Sequence, residues 1–424
     1  MLKQSAIKMV MFILLFSIVW SPYISSWLPK INGLPIGPIL RDVAILLFYA
    51  LFILSFLTMR KINLRKSHLY ITAVFLLLLI SAIVSDNSTF LQIILGLHAF
   101  VFYPMVFTFL FEYFVNTQKQ LCWDGILKFL EKLLSTLFIV MSVIAIIDVI
   151  SKGTFTLLLG YDPNYGGDGF QLITRYYDLV RANGGFADAL AFGYLMVAGF
   201  IFFVYKIKNT KNKLQVINVI GVILTSLAVV LSITRGAIIA LVVASLFYLY
   251  KSRVWVRASV FILSMFVVLG ISLSDYSDVF MGRFTDSDKG SQTSTNLRYE
   301  MAMKSIDYLT EHPMGVGLGT QGAGSTLTKV DERVNTDNFI LHGFLELGIF
   351  NGGLFILFIL SQFKIIYANT KNRREIFFAL FSLYFISAAF SSALQSGTLS
   401  VIFWIIAFII AADSRIKKQK ALQQ

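Results

Sequence analysis

What most constrains this chain is a succession of uninterrupted apolar runs. Two of them, Ile376–Leu394 and Ser396–Ala412, contain no charged residue. Runs of about 17 to 25 residues are long enough for an α-helix to cross the ~30 Å hydrocarbon core of a bilayer. Backbone polar groups find no water there, so only helices or closed barrels can span it. A barrel would show short segments of alternating polarity. These runs do not alternate, so an all-α, polytopic membrane protein of about twelve transmembrane helices is expected. The composition, 57% hydrophobic and 14% charged, describes a surface solvated mostly by lipid.

Spans are predicted at Ile7–Trp27, Gly37–Met59, His68–Val84, Leu91–Val115, Phe129–Ile150, Ala187–Tyr205, Leu214–Ser232, Gly236–Tyr250, Val256–Leu273, Phe339–Phe363, Ile376–Leu394 and Ser396–Ala412. The first is read as a retained span, because no small-residue cleavage site follows Trp20. The formal net charge of +13 raises the question of nucleic acid. Its distribution answers it. Lysines and arginines cluster at 3–8, 60–66, 119–132, 206–213, 251–257, 364–374 and 415–420, which are alternate turns. That is the positive-inside pattern, and it predicts both termini in the cytoplasm and no nucleic-acid partner. The alternation holds only if Ile233–Arg235 is a very tight outer turn. Cys122, the single cysteine, has no internal partner and carries no functional signal.

Within this single membrane domain two connections are long, residues 151–186 and 274–338, and both are predicted to lie outside. Long loops in compact proteins are usually functional or disordered. The second holds ten acidic and six basic residues, so it is no cytoplasmic anchor. Tyr299, Ala302, Met303, Ile306 and Leu309 recur on one helical face, and His312-Pro313 ends the helix.

Candidate site residues gather in these outer segments. Arg175, Arg181, Arg235, Arg283, Arg298 and Arg333 offer planar forks suited to phosphate oxygens. External pairing with carboxylates or headgroups is the competing role for each. Arg235 stands between two apolar helices, where charge is costly and by default functional. Arg41-Asp42, at the outer end of the second span, reads as a self-neutralising structural pair. Gly317, Gly319 and Gly322 match GxGxxG but follow no parallel strand, which removes the dinucleotide reading. A glycine turn hugging a ligand and a plain flexible loop both remain open. Where the large loop re-enters the membrane, Asp337, Asn338 and His342 bring a carboxylate, an amide and an imidazole to the interface. Asp337 suits a general base acting on a sugar hydroxyl, and Asp337-Asn338 equally suits a helix cap. No spacing of Cys, His or carboxylates matches a metal site.

At these residues the chain resembles the O-antigen polymerase and ligase superfamily, membrane glycosyltransferases of surface-polysaccharide assembly. The similarity runs from about Arg181 to Gly352. It rests on Arg181-Ala182-Asn183-Gly184-Gly185-Phe186 opening a span, and on the Thr234-Arg235-Gly236 turn. Arg298 heads the loop helix that ends at His312-Pro313 and Gly315–Gly319, and Asn338 to Gly348 forms the re-entry segment. Ligases of the superfamily carry a histidine directly before that asparagine, where this chain has Asp337. The resemblance therefore implies polymerisation ahead of transfer to lipid A core.

It also implies a growing glycan donor and a repeat-unit acceptor, both on undecaprenyl pyrophosphate. The expected setting is the outer face of the bacterial inner membrane, among its lipids, with a chain-length regulator as a possible partner and no cofactor. Asp337, Arg235 and Arg298 are the expected catalytic residues. Arg181, Arg175, Asn338, His312 and His342 are the expected substrate-binding ones. A lipid-linked oligosaccharide flippase is the rival from another class. Such proteins usually pair two similar halves with charges near the midplane, whereas here the charges lie toward the outer surface.

Overall fold

The apolar runs become helices packed around two that are buried on every side. The computed structural model describes residues 4–27, 36–58, 72, 75–76, 90–118, 120–158, 175–176, 179–184, 188–209, 214–251, 289–321, 336–370 and 373–423. In chain order the elements are α1 (Gln4–Trp27), α2 (Ile36–Leu57), α3 (Phe90–Leu97), a π-helical turn (His98–Phe102), α4 (Tyr103–Thr117), α5 (Trp123–Ile150) and the short α6 (Thr154–Leu158). A two-residue hairpin follows, β1 (Arg175–Tyr176) antiparallel to β2 (Leu179–Val180). Then come α7 (Ala189–Asn209), α8 (Leu214–Leu231), α9 (Arg235–Lys251), α10 (Lys289–Glu311), α11 (Phe339–Asn369), α12 (Arg374–Phe390), a 3₁₀ turn (Ala393–Gln395) and α13 (Gly397–Gln423).

Among the described residues seven helices are long and apolar enough to cross a membrane, and two shorter apolar ones match α8 and α9. The chain is a multi-pass membrane protein, and its described residues are all-helical in their regular structure apart from that small hairpin. The predicted spans at His68–Val84 and Val256–Leu273 lie almost wholly or wholly outside the described residues. So do much of the two long loops, Arg283 and Arg333.

Residues 191–205 of α7 and 397–412 of α13 are all buried. A helix that is apolar all round belongs in the middle of a bundle, and these two form its axis. α7 packs against α5, α8, α9, α12 and α13. By contrast α2 turns Val43, Leu46, Leu47, Ile53 and Leu54 outward, as a lipid-facing helix does.

The tight reversal expected at Ile233–Arg235 is present: α8 stops at Leu231 and α9 starts at Arg235. Ile233 turns the corner at φ 51° and is only 3% exposed. A β-branched residue there is a backbone outlier costing roughly 1–3 kcal/mol, which persists only where the surroundings over-determine it. The Ala182 N–H, donating to the Leu231 carbonyl at 2.9 Å, pins the turn to the end of the first long loop.

The second long loop does contain the expected helix, α10, and it ends at Glu311 just before His312-Pro313. Its apolar stripe is only partly covered. Tyr299, Met303 and Ile306 are exposed, and the fully buried position is Ser305.

Candidate active site at the helix N-terminal end of the bundle

The turn before α9 is assembled from both sides. Arg181 donates from Nε to the Ser232 carbonyl at 2.9 Å and from Nη2 to Thr234 Oγ1 at 3.0 Å. The Arg181 fork therefore clasps the turn that presents Arg235. Arg235 is the first residue of α9, where unsatisfied backbone N–H groups and the helix dipole already favour an anion. Behind the turn, Gly236 sits against α7 so closely that a Cβ there would overlap the Tyr194 hydroxyl. Tyr194 is fully buried and lies beside Ser391 at the end of α12.

Ser391 joins this turn to the membrane re-entry. Its carbonyl accepts from the Phe339 N–H, the first residue of α11, at 3.2 Å. The two polar residues before α11 divide their roles. Asn338 is the cap, its side-chain oxygen accepting from the Leu341 N–H at 2.9 Å. Asp337, thus released from capping, takes Arg298 of α10 at 3.1 Å, Nε to Oδ2. Both partners remain close to half exposed, at 40% and 47% of their side-chain surface. Arg298 also lies within electrostatic range of Tyr194. Arg181, Arg235, Arg298 and Asp337, far apart in sequence, are thereby tied by shared neighbours to one end of the bundle.

Other expected site residues go elsewhere. His342 is buried, stacked on Phe100 with ring centres 5.6 Å apart, and its Nε2 lies 3.3 Å from Glu346 Oε1. Glu346, 1% exposed, accepts from the Gly319 N–H at 2.8 Å on one oxygen and from the Gln321 N–H at 3.1 Å on the other. The glycine segment is thus held by Glu346 through two backbone N–H groups. It is a clasp around the break in α11, where Gly348 adopts φ 81° and the Ile349 N–H reaches back to the Pro313 carbonyl at 2.9 Å. His312 is exposed, against Tyr308, and its carbonyl receives the Gly315 N–H. Arg175 lies in β1, paired with Val180.

Sequence reasoning did not pick out Tyr194, Ser391 or Glu346. The first two lie in apolar runs and give no local signal. Glu346 did give one, as a carboxyl group inside an apolar helix.

A family model described as O-antigen ligase matches residues 220–356, which includes the Arg235 turn, α10 and the start of α11. An O-antigen polymerase of Salmonella muenchen is 34% identical over 400 residues, covering 89% of this chain and 96% of that relative. The chain belongs to the O-antigen polymerase and ligase superfamily. Of the expected arginines, Arg235, Arg283, Arg298 and Arg333 fall inside the stretch matched by the superfamily's model, and Arg175 and Arg181 precede it.

The Gly236–Tyr194 contact yields a first prediction. Gly236→Ala forces a methyl group onto a buried phenol, an overpacking cost of about 1–3 kcal/mol. The variant is expected to unfold at lower temperature in detergent, followed by fluorescence-detected size exclusion. Adding Tyr194→Phe makes room and should restore much of the lost stability. A double variant no better than Gly236→Ala alone would show that the clash lies elsewhere.

Proposed function

We propose that the chain polymerises lipid-linked oligosaccharide repeat units at the outer face of the bacterial inner membrane, with both termini in the cytoplasm. The observation that carries this reading is the Arg298–Asp337 pair, linked through Ser391 and Tyr194 to the turn that presents Arg235. On this reading Arg235 at the α9 terminus supplies the anion site and Asp337 the carboxylate of one centre. The 34% identity with an O-antigen polymerase over most of both chains supports it, and the positive-inside pattern supports the orientation.

In this mechanism the donor is a growing glycan on undecaprenyl pyrophosphate, and the acceptor is a single repeat unit on a second carrier. The acceptor's terminal hydroxyl oxygen forms a bond to the donor's anomeric carbon. The bond from that carbon to the diphosphate oxygen breaks, and undecaprenyl pyrophosphate leaves with the electron pair. Asp337 takes the hydroxyl proton. Arg235 and Arg298, with the α9 terminus, hold the diphosphate as charge gathers on its bridging oxygen. Arg181 keeps the turn in place. Arg298 bridges the two functions, since the guanidinium that steadies Asp337 is also offered to the leaving group.

A cell lacking the gene tests the reading by its lipopolysaccharide profile. Loss of a polymerase leaves one repeat on the core, whereas bare core would indicate the ligase reading, which the description of the family model favours. Restoring the gene with Arg235→Lys keeps the charge but not the fork, and full-length polymer from that variant would remove Arg235 from the site.

A further inference from the structure

A second polar cluster lies at the same end of the bundle, across the Ser391–Gly397 crossover from Asp337. Arg41 and Asp42 sit in the first turns of α2, beside lipid-facing Ile39, Leu40 and Val43. Their contact is not the mutual fork expected of a pair that merely neutralises itself. Arg41 gives Asp42 only its Nε, at 2.9 Å, and among the described residues its two terminal amino groups have no hydrogen-bond partner. Asp42 thus orients the guanidinium and leaves its broad edge open. The Arg41 side chain is 19% exposed, enough to be reached from the interface.

His98 completes the cluster. It occupies the π-helical turn, a device that often marks functional sites. The imidazole is 4% exposed and lies parallel to the Tyr103 ring, with centres 5.8 Å apart. Its Nδ1 is 3.9 Å from Asp42 Oδ2, beyond hydrogen-bonding distance, and among the described residues it has no hydrogen-bond partner. Tyr103 neighbours both Arg41 and Asp42, and its hydroxyl packs against Gly397 at the head of α13. A guanidinium edge, an imidazole and a phenol converge here, and all three can donate. An uncompensated buried polar group is costly, and donors gathered beside a lipid-facing surface suit an anionic lipid headgroup.

The proposed reaction needs such a headgroup site. Two diphosphate lipids are bound at once, and the acceptor reacts at the glycan end remote from its own diphosphate. In that reading the Arg235 site is assigned to the donor's diphosphate, which leaves the acceptor's diphosphate to be held elsewhere. Resting on that reading, we infer that Arg41, His98 and Tyr103, with Arg41 oriented by Asp42, bind the diphosphate of the second, acceptor lipid.

The test counts farnesyl diphosphate bound to the full-length protein in phosphatidylcholine nanodiscs by native mass spectrometry. Wild type is expected to hold two molecules, Arg41→Gln one, the Arg235→Gln/Arg298→Gln double variant one, and the combined triple variant none. His98→Gln, a milder change, should weaken one of the two sites by about ten- to a hundred-fold. Two molecules retained by Arg41→Gln would overturn the inference while leaving the Arg235 site standing. Two retained by the Arg235/Arg298 variant would instead overturn the proposed donor site and not this one. If phosphatidylglycerol displaces the Arg41-dependent molecule as readily as unlabelled farnesyl diphosphate does, the cluster is a phospholipid site and the inference falls.

Discussion

Asp337→Asn is expected to lower the rate of polymer formation by a factor of 10²–10⁴, the usual contribution of a positioned general base. The protein should stay folded in the membrane. Asparagine keeps the shape of aspartate but holds no lone pair basic enough to take the acceptor's proton. The change also removes the ion pair with Arg298, yet both partners are close to half exposed. Pairs of that kind contribute about 0–1 kcal/mol, so instability does not explain a loss of this size. The neighbouring position gives the contrast. Asn338→Ala deletes the α11 cap and should cost about 0.5–2 kcal/mol of stability, with polymer still made. The two variants are compared by the length of the lipopolysaccharide ladder and by thermal unfolding of the purified proteins. If Asn338→Ala abolishes polymer while Asp337→Asn spares it, the division of roles read from the structure is reversed.

That division was not visible in the residues alone. Aspartate and asparagine cap helices about equally well, so only the structure shows which of the two caps α11 and which turns to Arg298. The helices themselves were legible, because hydropathy reports directly on transfer into lipid and charge reports on the turns. The observed α1, α2, α7, α8, α9 and α11 start within about three residues of the predicted spans. The reversal at Arg235 was expected because the charge alternation holds only with a tight turn there.

What the sequence concealed was contact across distance. Arg181 clasps a turn 51 residues further on. Nothing local in the chain says that its fork is used there. The π-helical turn at His98 is a slip of backbone register inside an apolar run, and no residue type marks it. The stripe on α10 foretold the helix but not its surroundings, because a 3.6-residue period shows that a helix is amphipathic, not which surface its apolar face meets. In the described structure Tyr299, Met303 and Ile306 of that face are exposed, and Ala302 and Leu309 are half-buried.

Glu346→Gln is expected to be among the most damaging conservative changes in the chain. Each carboxyl oxygen of Glu346 accepts a different backbone N–H, from Gly319 and from Gln321. Glutamine has one carbonyl oxygen, so one of those N–H groups must face an NH₂. Leaving one buried donor unsatisfied costs about 1–3 kcal/mol, and opposing two donors adds to it. Glu346→Ala removes both acceptors, strands His342 Nε2 and opens a cavity, for an expected loss of about 3–5 kcal/mol. The effect should be local first, because the bonds lost are those that clasp residues 315–321 around the break at Gly348. That clasp follows α10 directly through His312-Pro313, so its release loosens the helix that carries Arg298. A cysteine placed at Thr320, which is 3% exposed in the native protein, should become reactive toward a membrane-impermeant maleimide in the Glu346→Gln background. Polymer length should fall in step with that labelling. Unchanged labelling alongside lost polymer would mean that Glu346 acts on the reaction itself and not through the clasp.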